Sequence, residues 1–355
     1  MNAKVKRNVN YDLIRTIAIL LVVFCHSIEN IYFKFDYFSL STKSQLFKII
    51  SFTISRLGVP LFLLLTGALI LKKDFKKENS ILNFYKNNLV PLILTYEIWA
   101  IIYSIYLYFE TNTFNLKDLI LEMLFVKKPP ISSIWYMPMI IGVYIFLPYL
   151  AIVLQKLSLK IVKIPYIITM IAFSFLPTMN IILLLNGLET YSLIIDFNLS
   201  GGLYCIYIIS GYYIANKNCL KKVNTKTLIV LFIIFFGLTV YVQSLSNERL
   251  LYSVWYDSFT LILAGIILFE LLNRIKIKRN IIITITNYIS KIRLGIYYLH
   301  IILVTIIGNK IIRLNFNNPV KVMIIFTLSI ISSTLIILVL SKCKLIKKRI
   351  FLIKQ

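Results

Sequence analysis

"YDLIRTIAILLVVFCHS", residues 11–27, sets an arginine and one of the chain's two histidines into a run that is otherwise apolar. Continued to residue 32, the run has the roughly 20 residues that a helix needs to cross a bilayer core. Charged groups at that depth cost several kcal/mol unless they are paired or face a wet cavity, so each is a functional candidate by default. Eleven residues separate Arg15 from His26. On a helix that spacing returns to within about 20° of the same face, about 16 Å further along the axis.

The rest of the chain is built in the same way. It has 355 residues, 59% of them hydrophobic, and a mean hydropathy of +0.83, which excludes an ordinary soluble domain. Apolar stretches recur at 13–32, 49–71, 89–109, 134–154, 164–185, 194–215, 228–245, 255–272, 294–312 and 322–340. The expected fold is an all-α membrane protein, a polytopic bundle of about ten transmembrane helices with both termini cytoplasmic. Residues 1–345 form its transmembrane domain and 346–355 a basic cytoplasmic tail. The first span has the basic start of a signal peptide, but "FCHSIENIY" lacks a small-residue cleavage pattern and further spans follow.

A net charge of +25 raises nucleic acid as a partner until its distribution is read. With a cytoplasmic amino terminus, 26 lysines and arginines fall in inner segments and 10 in outer ones. That asymmetry is the positive-inside pattern, and nucleic acid becomes unnecessary as an explanation. The four cysteines, Cys25, Cys205, Cys219 and Cys343, read as free thiols, neither a disulfide framework nor a metal set. Connections are short, the longest running over 110–133, and no internal repeat is visible.

Five residues stand out at membrane depth: Arg15, His26, Arg56, Glu97 and His300. Arg56, some seven residues into the second span, lies about 10 Å deep, near the depth of His26. His300, counted about six residues from the cytoplasmic end of the ninth span, falls near Arg15. Two layers are therefore expected, an inner one with Arg15 and His300 and an outer one with His26 and Arg56. A neutral imidazole can take a proton from a hydroxyl near pH 7, and an arginine can hold phosphates or a developing oxyanion. The structural alternatives are plain. Arg15 pairs with Asp12 or snorkels to the interface, and His26 satisfies a helix-to-helix hydrogen bond. Glu29, three residues after His26, either orients the imidazole or is an interface charge.

The opening stretch resembles that of the acyltransferase family 3 membrane proteins, with Asp12, Arg15 and His26 in an Asp-x-x-Arg pattern followed by a histidine eleven residues on. Four further stretches agree in order: "SRLGVPLFLLLTGALI", "IWYMPMIIGVYIFLPYL", "YIISGYYIAN" and "SKIRLGIYYLHIIL". The set is most similar to the single-domain surface-glycan O-acetyltransferases, typified by the enterobacterial-common-antigen O-acetyltransferase. Met137 and Pro138 depart from a Leu-bearing motif, and only Lys86 precedes Pro91 where the family often shows more basic residues.

The resemblance implies transfer of an acyl group, acetyl by preference, from cytoplasmic acyl-CoA to a hydroxyl of a cell-surface or lipid-linked glycan. The setting would be the bacterial cytoplasmic membrane, with acetyl-CoA as co-substrate and no permanently bound cofactor. His26 would act as general base and Arg56 would stabilise the oxyanion or position the acceptor. Arg15 would help hold the donor, and His300 would line the donor entrance or cap the inner layer. Trp135 and Tyr136 would stack on the sugar or anchor at the interface, and Glu97 would neutralise Arg56 or another cation. The rival reading is a transporter or flippase for a lipid-linked glycan, against which the missing repeats stand.

Overall fold

The first helix starts where its sequence provides a cap. The Asn8 side-chain oxygen accepts the backbone N–H groups of Asn10 and Tyr11, and Asp12 sits in the first turn, where a negative charge suits the helix dipole. The computed structural model describes residues 7–193, 202–249 and 254–353. The regular structure of these residues is all helix: α1 (Val9–Tyr32), α2 (Thr42–Ser55), α3 (Gly58–Ile70), α4 (Glu78–Phe84), α5 (Val90–Thr111), α6 (Leu116–Met123), α7 (Tyr136–Lys156) and α8 (Leu159–Met170). There follow α9 (Leu176–Leu185), α10 (Gly202–Lys217), α11 (Thr225–Arg249), α12 (Phe259–Arg274), α13 (Asn280–Ile311), α14 (Asn318–Leu340) and α15 (Lys344–Arg349).

Two joins have a local cause. α4 passes into α5 through a π turn over Tyr85–Leu89, and α8 into α9 through another over Ile171–Phe175. Pro91 and Pro177 lie just beyond. A proline ring collides with the carbonyl four residues earlier in a regular helix, and widening that turn relieves the collision without ending the helix.

Eight helical stretches among the described residues are long and apolar enough to cross a membrane, so the chain is a multi-pass membrane protein. α10 and α12 have sixteen residues each, about 24 Å of helix, which is short of a hydrocarbon core of about 30 Å. The first residues of the expected span 194–215 lie outside the described residues. Helix α13 differs from expectation. It begins at Asn280 rather than near residue 294, so Lys291 and Arg293, read as loop charges, stand on the helix itself.

Burial separates central from peripheral helices. α1 packs on α13, α3, α14 and α2, and 56% of its apolar window is buried, against 11% for the α8–α9 stretch and 22% for α11. The polar stripe of α1 therefore faces protein. α3 and α10 approach so closely that a Cβ on Gly67 would lie 1.8 Å from the Ile208 carbonyl oxygen, and one on Gly211 1.9 Å from that of Leu64.

One end of the bundle is tied together by its polar residues. The Asn10 amide donates to the carbonyls of Leu272, Asn273 and Ile275 at the end of α12. Arg274 pairs with Glu270 at 2.6 Å and donates to the carbonyls of Leu220 and Val223. The chain after α14 returns to this bundle. Thr95 donates to the Arg349 carbonyl at 2.7 Å and the Trp99 indole to that of Ile350 at 3.1 Å, while Phe351 is buried beside Trp99 and Gly295.

Candidate active site

His26 and Glu29 lie one turn apart on α1, and the helix spacing that puts them on one face also puts them in contact. The Glu29 carboxylate meets Nδ1 of His26 at 2.6 Å. Its other oxygen accepts from Arg56 Nη2 at 3.3 Å and from the Cys25 thiol at 3.7 Å. Arg56 reaches this point because the helix breaks there, as the residue closing α2 immediately before α3 begins. Its guanidinium lies between the rings of Phe52 and Trp255, at 4.3 and 4.4 Å from their centroids, and Nη1 donates to the Tyr256 hydroxyl at 3.4 Å. Stacking between aromatic faces and a carboxylate partner compensate for the desolvation of a cation that is only 5% exposed.

With Nδ1 facing Glu29, the imidazole can hold its proton on that nitrogen and present the lone pair of Nε2, which has no protein partner among the described residues. A carboxylate that fixes the tautomer and steadies the imidazolium is the arrangement a general base needs. Ser133 Oγ lies 3.4 Å from Nδ1, and the Ser133 carbonyl accepts from the Tyr297 hydroxyl at 3.3 Å. His26, Glu29 and Arg56 open on a cavity of about 560 Å³ whose wall includes Trp135, Tyr136 and Trp255. Trp135 stands 5.6 Å from both Trp255 and Tyr256, centroid to centroid.

A second cavity of about 1130 Å³ lies towards the other end of the bundle and is lined by Lys291, Arg293 and residues of the C-terminal segment. Tyr136 and Tyr297 belong to the walls of both cavities, and their rings stand 5.9 Å apart. This aromatic pair is the partition between the two chambers.

The structure brings His26, Arg56, Trp135, Tyr136 and His300 together and sets Arg15 and Glu97 apart from them. His300 requires correction. Expected in an inner layer with Arg15, it is fully buried, and its ring lies 5.2 Å from that of His26. The cause is the early start of α13, which puts His300 twenty residues into the helix instead of about six. Its Nδ1 bonds the Tyr297 carbonyl, and Nε2 is buried without a partner among the described residues. Arg15 pairs with Asp12 at 2.8 Å, and Asp12 also binds Arg7 and, at 2.7 Å, Ser290. Arg15 is not among the residues lining either cavity. Glu97 lines neither cavity, and the carboxylate beside Arg56 is Glu29.

Sequence reasoning left Glu29 between two readings and did not single out Ser133 or Tyr256. Glu29 carried a usable signal, since a deep arginine needs a carboxylate at matching depth and His26 and Arg56 were already at one level. Ser133 sits in a short helical turn, Ser132–Trp135, before α7, and Tyr256, at the start of the expected span 255–272, sits before α12 begins; neither carries a charge that membrane depth would single out.

Set beside known proteins, residues 8–341 match a family model described as an acyltransferase domain. The chain is 27% identical to an amino-acid racemase of Enterococcus faecalis over 96% of its own length and 47% of the relative's. It thus spans about half the length of that curated relative, and the racemase description is of that protein. No solved structure matches the chain.

Proposed function

The chain belongs to the acyltransferase family whose model spans nearly all of it, and from that premise we propose that it is a membrane-bound O-acyltransferase. It moves an acyl group, acetyl by preference, from acyl-CoA to a hydroxyl of a cell-surface or lipid-linked glycan. The observation that carries this reading is the His26–Glu29–Arg56 cluster opening on an aromatic-walled cavity. Nε2 of His26 takes the proton of the acceptor hydroxyl, and the resulting alkoxide attacks the thioester carbonyl. The tetrahedral intermediate collapses with expulsion of the thiolate, which recovers the proton from the imidazolium as free thiol. Glu29 holds the imidazole, and Arg56 fixes Glu29 and lends positive charge to the oxyanion. Trp135 and Trp255 offer apolar faces to a sugar.

In this reading the membrane is a bacterial inner membrane, the donor approaches from the lysine-rich end as its cytoplasmic face, which the charge asymmetry supports, and the acceptor comes from the opposite side. In that topology α10 and α12 also cross, giving ten spans. The Tyr136–Tyr297 partition marks where the thioester must reach. Family membership favours this reading over a transporter or flippase.

Purified full-length protein, supplied with labelled acetyl-CoA and a glycan acceptor, transfers label, and His26→Ala does not. Label that never reaches glycan with wild-type protein overturns the enzyme reading.

A further inference from the structure

The larger cavity carries an excess of one charge that the rest of the site does not explain. Lys291 and Arg293 line one side, and five cations between 342 and 349 line the other. Among the described residues no carboxylate lines it, and none of these seven side chains has an ion-pair partner. Like charges gathered in one concavity repel one another and raise the local concentration of anions.

The segment that supplies most of this charge is held in place. Phe351 is buried beside Trp99 and Gly295, and Thr95 and Trp99 bond the carbonyls of residues 349 and 350. An anchored strap that presents lysines to a cavity has already lost the chain entropy a flexible tail would lose on binding.

Resting on the acyl-transfer reading above, we propose that residues 342–349, with Lys291 and Arg293, form a clamp for the phosphates of a nucleotide-bearing donor. The size of the chamber, about 1130 Å³, suits a nucleotide rather than a single phosphate. The far wall of the same chamber is Tyr136 and Tyr297, beyond which lies His26. A ligand with phosphates at one end and its reactive group at the other suits that arrangement of cations and aromatic wall. Phosphates of an anionic lipid headgroup share this chemistry, and the test separates the two.

Full-length protein in nanodiscs of zwitterionic lipid is titrated calorimetrically with CoA, dephospho-CoA and adenosine 3′,5′-bisphosphate. The comparison is with the triple variant Lys344→Gln/Lys347→Gln/Lys348→Gln, whose thermal unfolding is followed in parallel. The expected result is unchanged unfolding with CoA and bisphosphate binding weakened about tenfold or more, an effect that fades at high salt. Dephospho-CoA should lose less than CoA. Equal binding by variant and wild type, or no binding of any of the three by wild type, overturns the clamp. So does a variant that keeps nucleotide affinity and loses affinity only for phosphatidylglycerol added to a second set of discs, because the occupant is then lipid. Clamp binding without acyl transfer defeats the transfer reading alone. Transfer with an unaltered KM for acetyl-CoA in the variant defeats the clamp alone.

Discussion

Glu29 lies between an imidazole and a guanidinium, 2.6 Å from His26 and 3.3 Å from Arg56, and replacing its charge by an amide tests what it does. In the proposed reaction Glu29→Gln leaves the cavity lined and removes the group that fixes the imidazole tautomer. Transfer should fall about a hundredfold or more in kcat with little change in KM for either substrate, measured by steady-state kinetics with labelled acetyl-CoA. An unchanged kcat makes Glu29 an interface charge after all. A second carboxyl, outside the eight spans, makes a prediction about stability. Glu122 on α6 is buried with Tyr96 as its partner at 3.5 Å, and burial pushes its carboxyl up to about 7, the hydrogen bond opposing. Between the ordinary carboxylate range and that value the folded chain therefore holds a proton that the unfolded chain has released. Stability contributed at this residue is full at low pH and declines as pH rises through that window. Thermal unfolding at pH 5 and pH 8 should show the decline in wild type and a shallower one in Glu122→Gln.

Helix pairs explain residues that motifs only mark. Gly67 and Gly211 occur in two of the stretches on which the family resemblance rests, and each lets α3 or α10 bring a backbone carbonyl to where a side chain would otherwise begin. Gly142, from a third such stretch, has nothing within 4 Å of a Cβ built on it. Gly211→Val should cost about 3 kcal/mol or more, because backbone must move to admit the side chain. Gly142→Ala should be neutral or stabilising by about 0.5 kcal/mol, since alanine is the better helix former. Thermal unfolding in one detergent compares the two directly, and equal losses would mean that close approach is not the reason for Gly211.

Across the whole molecule, two chambers of unlike character meet at one aromatic partition. A cation-lined chamber and a chamber lined by aromatic rings around His26 suit ligands arriving from opposite faces of a membrane. The proposed orientation rests on charge asymmetry and can be measured after replacing the exposed Cys219 and Cys343 with serine. A cysteine at Thr113 should react with a membrane-impermeant maleimide on intact cells, and one at Lys347 only after permeabilisation. The reverse pattern inverts the assignment of donor and acceptor sides.

By itself the sequence determined that the chain is helical and membrane-embedded. It also placed His26 and Arg56 at one level and showed where basic segments accumulate. These follow from the length of apolar runs and the cost of burying charge, both of which can be read along one dimension. Only the tertiary structure decided that His300 belongs beside His26, that Glu29 joins the imidazole to the guanidinium, and that residues 344–353 dock against α5. The position of His300 depended on a start of α13 set fourteen residues early, in a segment whose polar residues made it read as a loop. The other two depended on which helix faces meet, and that is fixed by packing between segments far apart in sequence, where spacing along the chain carries no information.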